Sequence, residues 1–420
     1  MHSRAGRWGG LCRPEPYVTL AAIGCSAYLR SPRGLGVAAP ELASGGIMST
    51  KRLVGILAVC LVFLAAGIWY SQGHRSPATR SEGSLVAAAV LNLTGPAARF
   101  DAVKQQTLQL AAERVKEQYP AVDLEVQVLD GAGGPEATAV AVRRAVAANA
   151  CCILSGTSPT ALAIAAQVRG QEPTVAQLAN AANPDFGPPR PGEYRFWPDW
   201  NQEAAIIFDL FVEKSLNTVL LVHSADPYSE ALTASLTSKI ESASRDIRIL
   251  EFQFDPAATP DFRPALIRAK QTGTETIVVF GLPPGIRALI SQLQEVNWEG
   301  TLIGGVNITL AVDDFVAAGL PGQLWAIQTE AMRDHLTPGT EAEAYRNAYQ
   351  QRFGAAPPFH ALYLADALYF IASAVSNPKT EGLPVVDRLA AVTSFDAPSG
   401  SITIQDDRSL IFDMALVRLR

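Results

Sequence analysis

LDGAGGPEATAVAVRR, residues 129–144, places a strand end, a glycine cluster and a helical run in direct succession. Two readings compete: a cradle for a phosphate, or a tight turn between a strand and a helix. A dinucleotide fingerprint needs glycines at positions one, three and six of G-x-G-x-x-G, so that backbone N–H groups and the helix N-terminus meet a pyrophosphate. Counted from Gly131, the sixth position is Glu136, whose negative charge would face the phosphate, and Pro135 suits the first turn of a helix. No G-K-[S/T] triplet occurs to make a P-loop. The run is read as a strand-to-helix turn.

Outward from this turn, strand and helix patterns alternate. Strands are expected at Leu85–Leu93, Val122–Asp130, Cys151–Ser155, Thr174–Leu178, Thr218–His223, Ile247–Phe254, Thr276–Phe280 and Leu302–Gly304. Helical periodicity covers Phe100–Tyr119, Glu136–Ala150, Thr160–Arg169, Gln202–Ser215, Ser229–Ala243, Phe262–Thr272 and Ile286–Val296. Short apolar strands separated by helices predict parallel, doubly wound sheets. The alternation is too long for one compact open sheet, so two α/β lobes are expected. Helices at Glu341–Phe353, Phe359–Ser376 and near Leu383–Val392 follow, and Ser401–Gln405 with Ser409–Leu419 reads as an antiparallel pair.

The 420 residues carry a formal net charge of −6, which argues against a nucleic-acid binder. Leu53–Tyr70 is an uninterrupted apolar run of bilayer-spanning length, preceded by Lys51 and Arg52, so the rest of the chain is expected outside the cytoplasm. Met48 just before it reads as the start of an export segment, 48–72. Residues 1–47 are then a disordered leader or an over-long gene start, and 73–83 a linker. The continuation of the run through Ile68, Trp69 and Tyr70 favours a retained membrane anchor; the stretch Leu64-Ala65-Ala66-Gly67, which offers small residues near the end of the run, keeps a cleaved, soluble alternative open. Of five cysteines only Cys151 and Cys152 lie in the body, adjacent and read as buried strand residues, so neither a disulfide framework nor a metal spacing is expected.

Catalytic chemistry finds no setting. The nearest approach to a G-x-S-x-G elbow is Ser155-Gly156-Thr157-Ser158-Pro159, which lacks the second glycine. The same stretch stands between a strand and a helix, where open α/β sheets bind small ligands and where hydroxyls and N–H groups can hold a carboxylate; an ordinary helix cap is the equal alternative.

Five stretches stand in order along the chain: Leu93-Thr94-Gly95-Pro96, the quoted turn, His223-Ser224-Ala225-Asp226-Pro227-Tyr228, Asp261-Phe262 leading to Val278-Val279-Phe280-Gly281, and Phe353-Gly354-Ala355-Ala356-Pro357 with Tyr363-Leu364-Ala365-Asp366-Ala367. In these stretches the chain resembles the periplasmic type I solute-binding proteins, specifically the leucine/isoleucine/valine-binding branch that serves ABC transporters. Together the stretches span nearly all of 84–420. The resemblance implies two lobes joined by three crossings, residues 84–200 with 330–395 and 201–329 with 396–420, closing by a hinge on a ligand. Carried over position by position, it gives a ligand wall of Phe100, Ser158, Thr160, Ala181 and Asn183 in the first lobe and Tyr228, Leu282 and Asn307 in the second. Trp197 and Trp200 are read as hinge packing, and Phe359 and Tyr363 as core.

One departure matters. Where amino-acid binders of the branch carry an acid after the strand corresponding to Leu302-Ile303-Gly304, this chain reads Gly304-Gly305-Val306-Asn307. Either the ligand is no simple zwitterionic amino acid, or Asp226 or another acid substitutes. The function expected is capture of a small polar ligand (a branched-chain amino acid, an amide or a related small acid) and its delivery to an ABC permease, without catalysis or cofactor. A membrane-tethered sensor on the same fold is the alternative.

Overall fold

The computed structural model describes residues 84–420 except 96–97, 133, 170–174, 187–189 and 244. The leader, the apolar run 53–70 and the linker lie outside the described residues. The first sheet takes β1 (Leu85–Leu91), β2 (Leu124–Asp130), β3 (Ala150–Ser155), β4 (Ala176–Ala179) and β5 (Glu193–Arg195) in the order β2-β1-β3-β4-β5, every pair parallel. Between them run α1 (Ala98–Gln118), α2 (Pro135–Ala147) and α3 (Ser158–Val168). The strands LVAAAVL and ACCILS are buried almost throughout, as strands covered on both faces must be. Cys151 and Cys152 are free and buried on β3.

Helix α4 (Trp200–Glu213) leads into the second sheet. There β6 (Thr218–Ser224), β7 (Arg248–Phe254), β8 (Thr276–Phe280), β9 (Thr301–Gly304) and β10 (Gln323–Thr329) alternate with α5 (Pro227–Ser242), α6 (Arg263–Gln271), α7 (Pro283–Glu295) and α8 (Val312–Ala317). The chain returns through α9 (Glu341–Phe353), α10 (Phe359–Ser376) and α11 (Val385–Ala390). Helix α10 packs along α1. Among the described residues it is the one helix long and apolar enough to cross a membrane, yet 83% of it is buried, which makes it a core helix.

Three strands, β5, β10 and the later β11 (Ser394–Ala397), were not anticipated. Strand β5 has only three residues, Glu-Tyr-Arg, and its charges are neutralised in place: Glu193 accepts from Arg169 at 2.8 Å, and Arg195 donates to Asp199 at 2.8 Å. The C-terminus also divides differently from expectation. Strands β11 (Ser394–Ala397), β12 (Gly400–Ile404) and β13 (Leu410–Phe412) form a separate antiparallel sheet, and β14 (Met414–Arg418) alone joins the second sheet, antiparallel to β10. The break falls at Asp413, inside what reads as one strand.

The chain leaves the first parallel sheet for the second between β5 and α4, leaves the second between β10 and α9 for α10, which packs along α1, and returns to the second at Asp413, where the three-stranded sheet gives way to β14. The crossings are laced together. Gln202 Nε2 donates to the Phe412 carbonyl at 2.6 Å, and Arg333 Nη2 donates to Asp413 Oδ1 at 2.9 Å. Packing at the far end of the second sheet is also tight: a Cβ on Gly322, just before β10, would lie 2.0 Å from the carbonyl oxygen of Gly300, just before β9. Gly322→Ala is therefore expected to cost about 2 kcal/mol, measured as a lowered midpoint in thermal unfolding.

Candidate functional site

The glycine-rich turn holds itself closed. Asp130 Oδ1 accepts from Leu93 N at 3.0 Å and Ala132 N at 2.9 Å, while Oδ2 accepts from Thr94 Oγ1 at 3.0 Å. A Cβ on Gly131 would stand 2.7 Å from Val90 Cγ1, and Gly134 has φ +86° where α2 begins. These glycines let the backbone turn and approach β1.

A cavity of 430 Å³ opens between the two parallel sheets, at the C-terminal ends of their strands. That is where ligands sit in open α/β sheets, because loops and helix N-termini converge there. Six of the eight expected residues line it: Phe100, Ser158 and Asn183 from the first sheet's side, Tyr228, Leu282 and Asn307 from the second. Thr160 and Ala181 do not. The Thr160 side chain turns back to its own helix start, 2.9 Å from Thr157 Oγ1. Ala181 is fully buried in a small cluster with Ala179 and Phe186.

Trp197, Phe359 and His360 also line the cavity, although hinge packing and core burial were the sequence readings for the first two. Trp197 sits edge-on to Phe359, Tyr363 and Tyr228, with centroids 5.8, 5.4 and 6.2 Å apart. Trp200 does not line it; its ring lies under the Arg195 guanidinium at 4.3 Å, beside the first crossing. Phe100 stacks on His360, centroids 4.0 Å apart and planes 9° from parallel. Burial, aided by the Lys104 charge, pushes the His360 imidazole down to about 3, so it is neutral at physiological pH. The walls are thus mainly rings.

The polar inventory is short and lopsided. Ser158 Oγ accepts from Ala182 N at 3.0 Å and Asn183 N at 3.2 Å, which leaves its hydroxyl proton to donate. Asn183 Oδ1 accepts from Asp185 N at 2.7 Å, which assigns the amide and leaves Nδ2 as a donor. On the opposite wall the helix N-termini are already satisfied. Asp226 caps α5, accepting from Tyr228 N, Ser229 N and Ser229 Oγ at 3.2, 3.1 and 2.7 Å. Helix α7 opens on Pro283 and Pro284, which have no N–H. Asn307 Nδ2 donates to the Gly281 carbonyl at 3.1 Å.

Behind that wall lies Glu203, on α4 and fully buried. Its Oε1 accepts from the Tyr228 hydroxyl, and its Oε2 accepts from Val306 N at 2.9 Å. Burial pushes its carboxyl up to about 7 against these two hydrogen bonds. Sequence reasoning missed Glu203 because it is a lone acid in an amphipathic helix, far in sequence from both partners. Among the described residues no group of His, Cys, Asp and Glu is placed to hold a metal ion.

The periplasmic binding protein profile matches residues 85–420. No curated protein sequence matches the chain. Among solved structures, a solute-binding protein of an ABC transporter from Rhodopseudomonas palustris BisB5, in complex with 3,4-dihydroxybenzoic acid, is 20% identical, with a TM-score of 0.65 over 81% of this chain and 94% of that one. A branched-chain amino acid transporter substrate-binding protein from Streptococcus pneumoniae, in complex with isoleucine, is 17% identical, with a TM-score of 0.63 over 80% and 99%. A solute-binding protein from R. palustris, in complex with benzoate, is 16% identical, with a TM-score of 0.63 over 80% and 94%. These likenesses speak to the fold. The profile match over most of the sequence carries the affiliation: the chain belongs to the periplasmic binding protein family, whose members bind solutes without transforming them, and has the type I fold of its branched-chain amino acid-binding representatives.

Proposed function

We propose that this protein captures a small carboxylate with a planar or apolar body in the cleft between two lobes, outside the cytoplasm, and delivers it to an ABC permease. The observation that carries the reading is the division of the cavity wall. Spare donors, the Ser158 hydroxyl and Asn183 Nδ2, stand on one side beside the N-terminus of α3, which favours an acceptor such as a carboxylate. The other side offers the Tyr228 ring, Leu282, Pro283 and Leu310. Aromatic and aliphatic surfaces pack a ligand body, and a few polar groups orient its head.

An amino-acid ammonium would be poorly served. Asp226 is the one carboxylate lining the cavity among the described residues, and its oxygens are taken up by the α5 cap. A desolvated cation without a free partner is costly. The benzoate and dihydroxybenzoate complexes of two structural neighbours are in keeping with an aromatic acid here. On its sequence, the apolar run 53–70 would hold the protein at the membrane, with cleavage the alternative, and the three crossings would serve as the hinge.

The test is thermal unfolding with benzoate and with leucine. Benzoate at a hundred times its Kd should stabilise by about 2.7 kcal/mol by mass action, and leucine should leave the midpoint unmoved. Trp197→Ala should raise the benzoate Kd at least about tenfold by opening the ring box. Tight leucine binding would defeat the choice of ligand.

A further inference from the structure

Glu203 has no part in the cavity wall, yet it fixes what that wall offers. We propose that Glu203 is a positioning residue that holds the Tyr228 hydroxyl and the Val306 N–H away from the ligand, so that the second-sheet wall meets the ligand as a ring and not as a hydrogen-bond donor. This rests on the cleft being the ligand site.

The geometry is a three-way tie. Glu203 projects from α4, Tyr228 stands in the first turn of α5, and Val306 follows β9. One carboxylate oxygen takes the phenol proton and the other takes the Val306 N–H. A Cβ on Gly305 would come within 2.5 Å of Glu203 Oε2, so the glycine leaves room for the carboxylate to reach in. Val306 neighbours Asn307, which lines the cavity, so the same carboxylate braces two wall positions.

The charged and titratable surroundings of Glu203 are few. On its own helix start is Asp199, paired with Arg195 of β5 at 2.8 Å. Helix α5 contributes Tyr228 and the capping Asp226, and α10 contributes Tyr363. The Gly304–Asn307 segment contributes no charge. No cation pairs with Glu203 directly among the described residues, so its proton is governed by burial and by its two donors. When Glu203 is ionised, the phenol must donate to it. When residue 203 carries a proton of its own to donate, the phenol oxygen can accept it, and the phenol proton is released to the cavity.

The experiment has two arms on the full-length protein. In the first, carboxyl-labelled glutamate is followed by carbon-13 magnetic resonance against pH. A glutamate titrating near neutrality should vanish in Glu203→Gln, and its midpoint should move upward in Tyr228→Phe, which removes a donor to the ionised form. In the second, benzoate and 4-acetylbenzoate are compared by calorimetry at pH 8. The wild type should bind the two alike, because nothing donates to the acetyl oxygen. Glu203→Gln, whose amide can donate to the phenol oxygen, should favour 4-acetylbenzoate by roughly fivefold, the value of one ordinary hydrogen bond. Adding Tyr228→Phe should erase that gain. An unchanged probe ratio in Glu203→Gln, or a midpoint unmoved by Tyr228→Phe, overturns the proposal. If neither probe binds the wild type, the choice of ligand fails, and the titration arm alone decides the role of Glu203.

Discussion

Lys104→Met is expected to destabilise the protein by about 3–5 kcal/mol, the usual cost of removing one partner of a buried ion pair. Lys104 and Asp101 are 1% and 0% exposed, one helical turn apart on α1, with Nζ 2.8 Å from Oδ1. Burial holds the Lys104 ammonium below its ordinary value, against the attraction of Asp101. Asp101 Oδ2 accepts from Asn92 N and Nδ2 at 2.7 and 2.9 Å, and Lys104 also donates to the Gly156 carbonyl. The variant would thus strand a carboxylate in the interior and release the loop that carries Ser158 into the cleft. The check is the thermal midpoint, expected to fall by about 10 °C for a body of this size. Asp101→Asn together with Lys104→Met should recover a substantial part of the loss, because an uncharged amide can keep the Asn92 hydrogen bonds. If the single variant melts like the wild type, the pair has no structural role.

Elsewhere, the strands show what a sequence can and cannot disclose about this fold. Apolar runs such as TIVVF and ACCILS announce parallel strands because both their faces are buried. Strand β5 gives no such signal, since its buried Glu193 and Arg195 become tolerable only through Arg169 and Asp199, partners that the fold supplies. The run 409–419 alternates like one strand, and only the third crossing at Asp413 assigns its halves to different sheets.

The cleft was legible where a side chain follows directly from a strand end, as at Ser158, Tyr228 and Asn307. It was hidden in α10. That helix is apolar on every side, so periodicity cannot distinguish Phe359 and His360, which reach the cavity, from neighbours that do not. Thr160 and Ala181, carried over from the resemblance, lie beside wall residues in the sequence, and their side chains face their own helix start and a small buried cluster.

Stability should fall, not rise, as pH increases from about 5 to 7. Glu203 and Asp366 are each fully buried, and burial pushes both carboxyls up to about 7, from ordinary values of 4.5 and 3.8. Asp366 accepts from the Ser399 N–H at 3.0 Å, which offsets only part of that burial. Between the unfolded and folded values the native state binds the extra proton. The stabilisation is therefore complete below about pH 4 and is lost as pH climbs through 7, at about 1.4 kcal/mol per pH unit for each group. His360 works in the opposite sense. Its folded value of about 3 lies below the ordinary 6.5, so its contribution is present above 6.5 and lost as pH falls toward 3. Two descending slopes against one ascending slope leave a net decline of about 1.4 kcal/mol per unit between pH 5 and 6.5. Denaturant unfolding across that range is the measurement. Glu203→Gln or Asp366→Asn should each flatten the profile, and His360→Leu should steepen it, since only the two carboxylic acids then remain. A wild-type profile that rises over this interval would mean that these acids are ionised in the fold, with water or a cation reaching both.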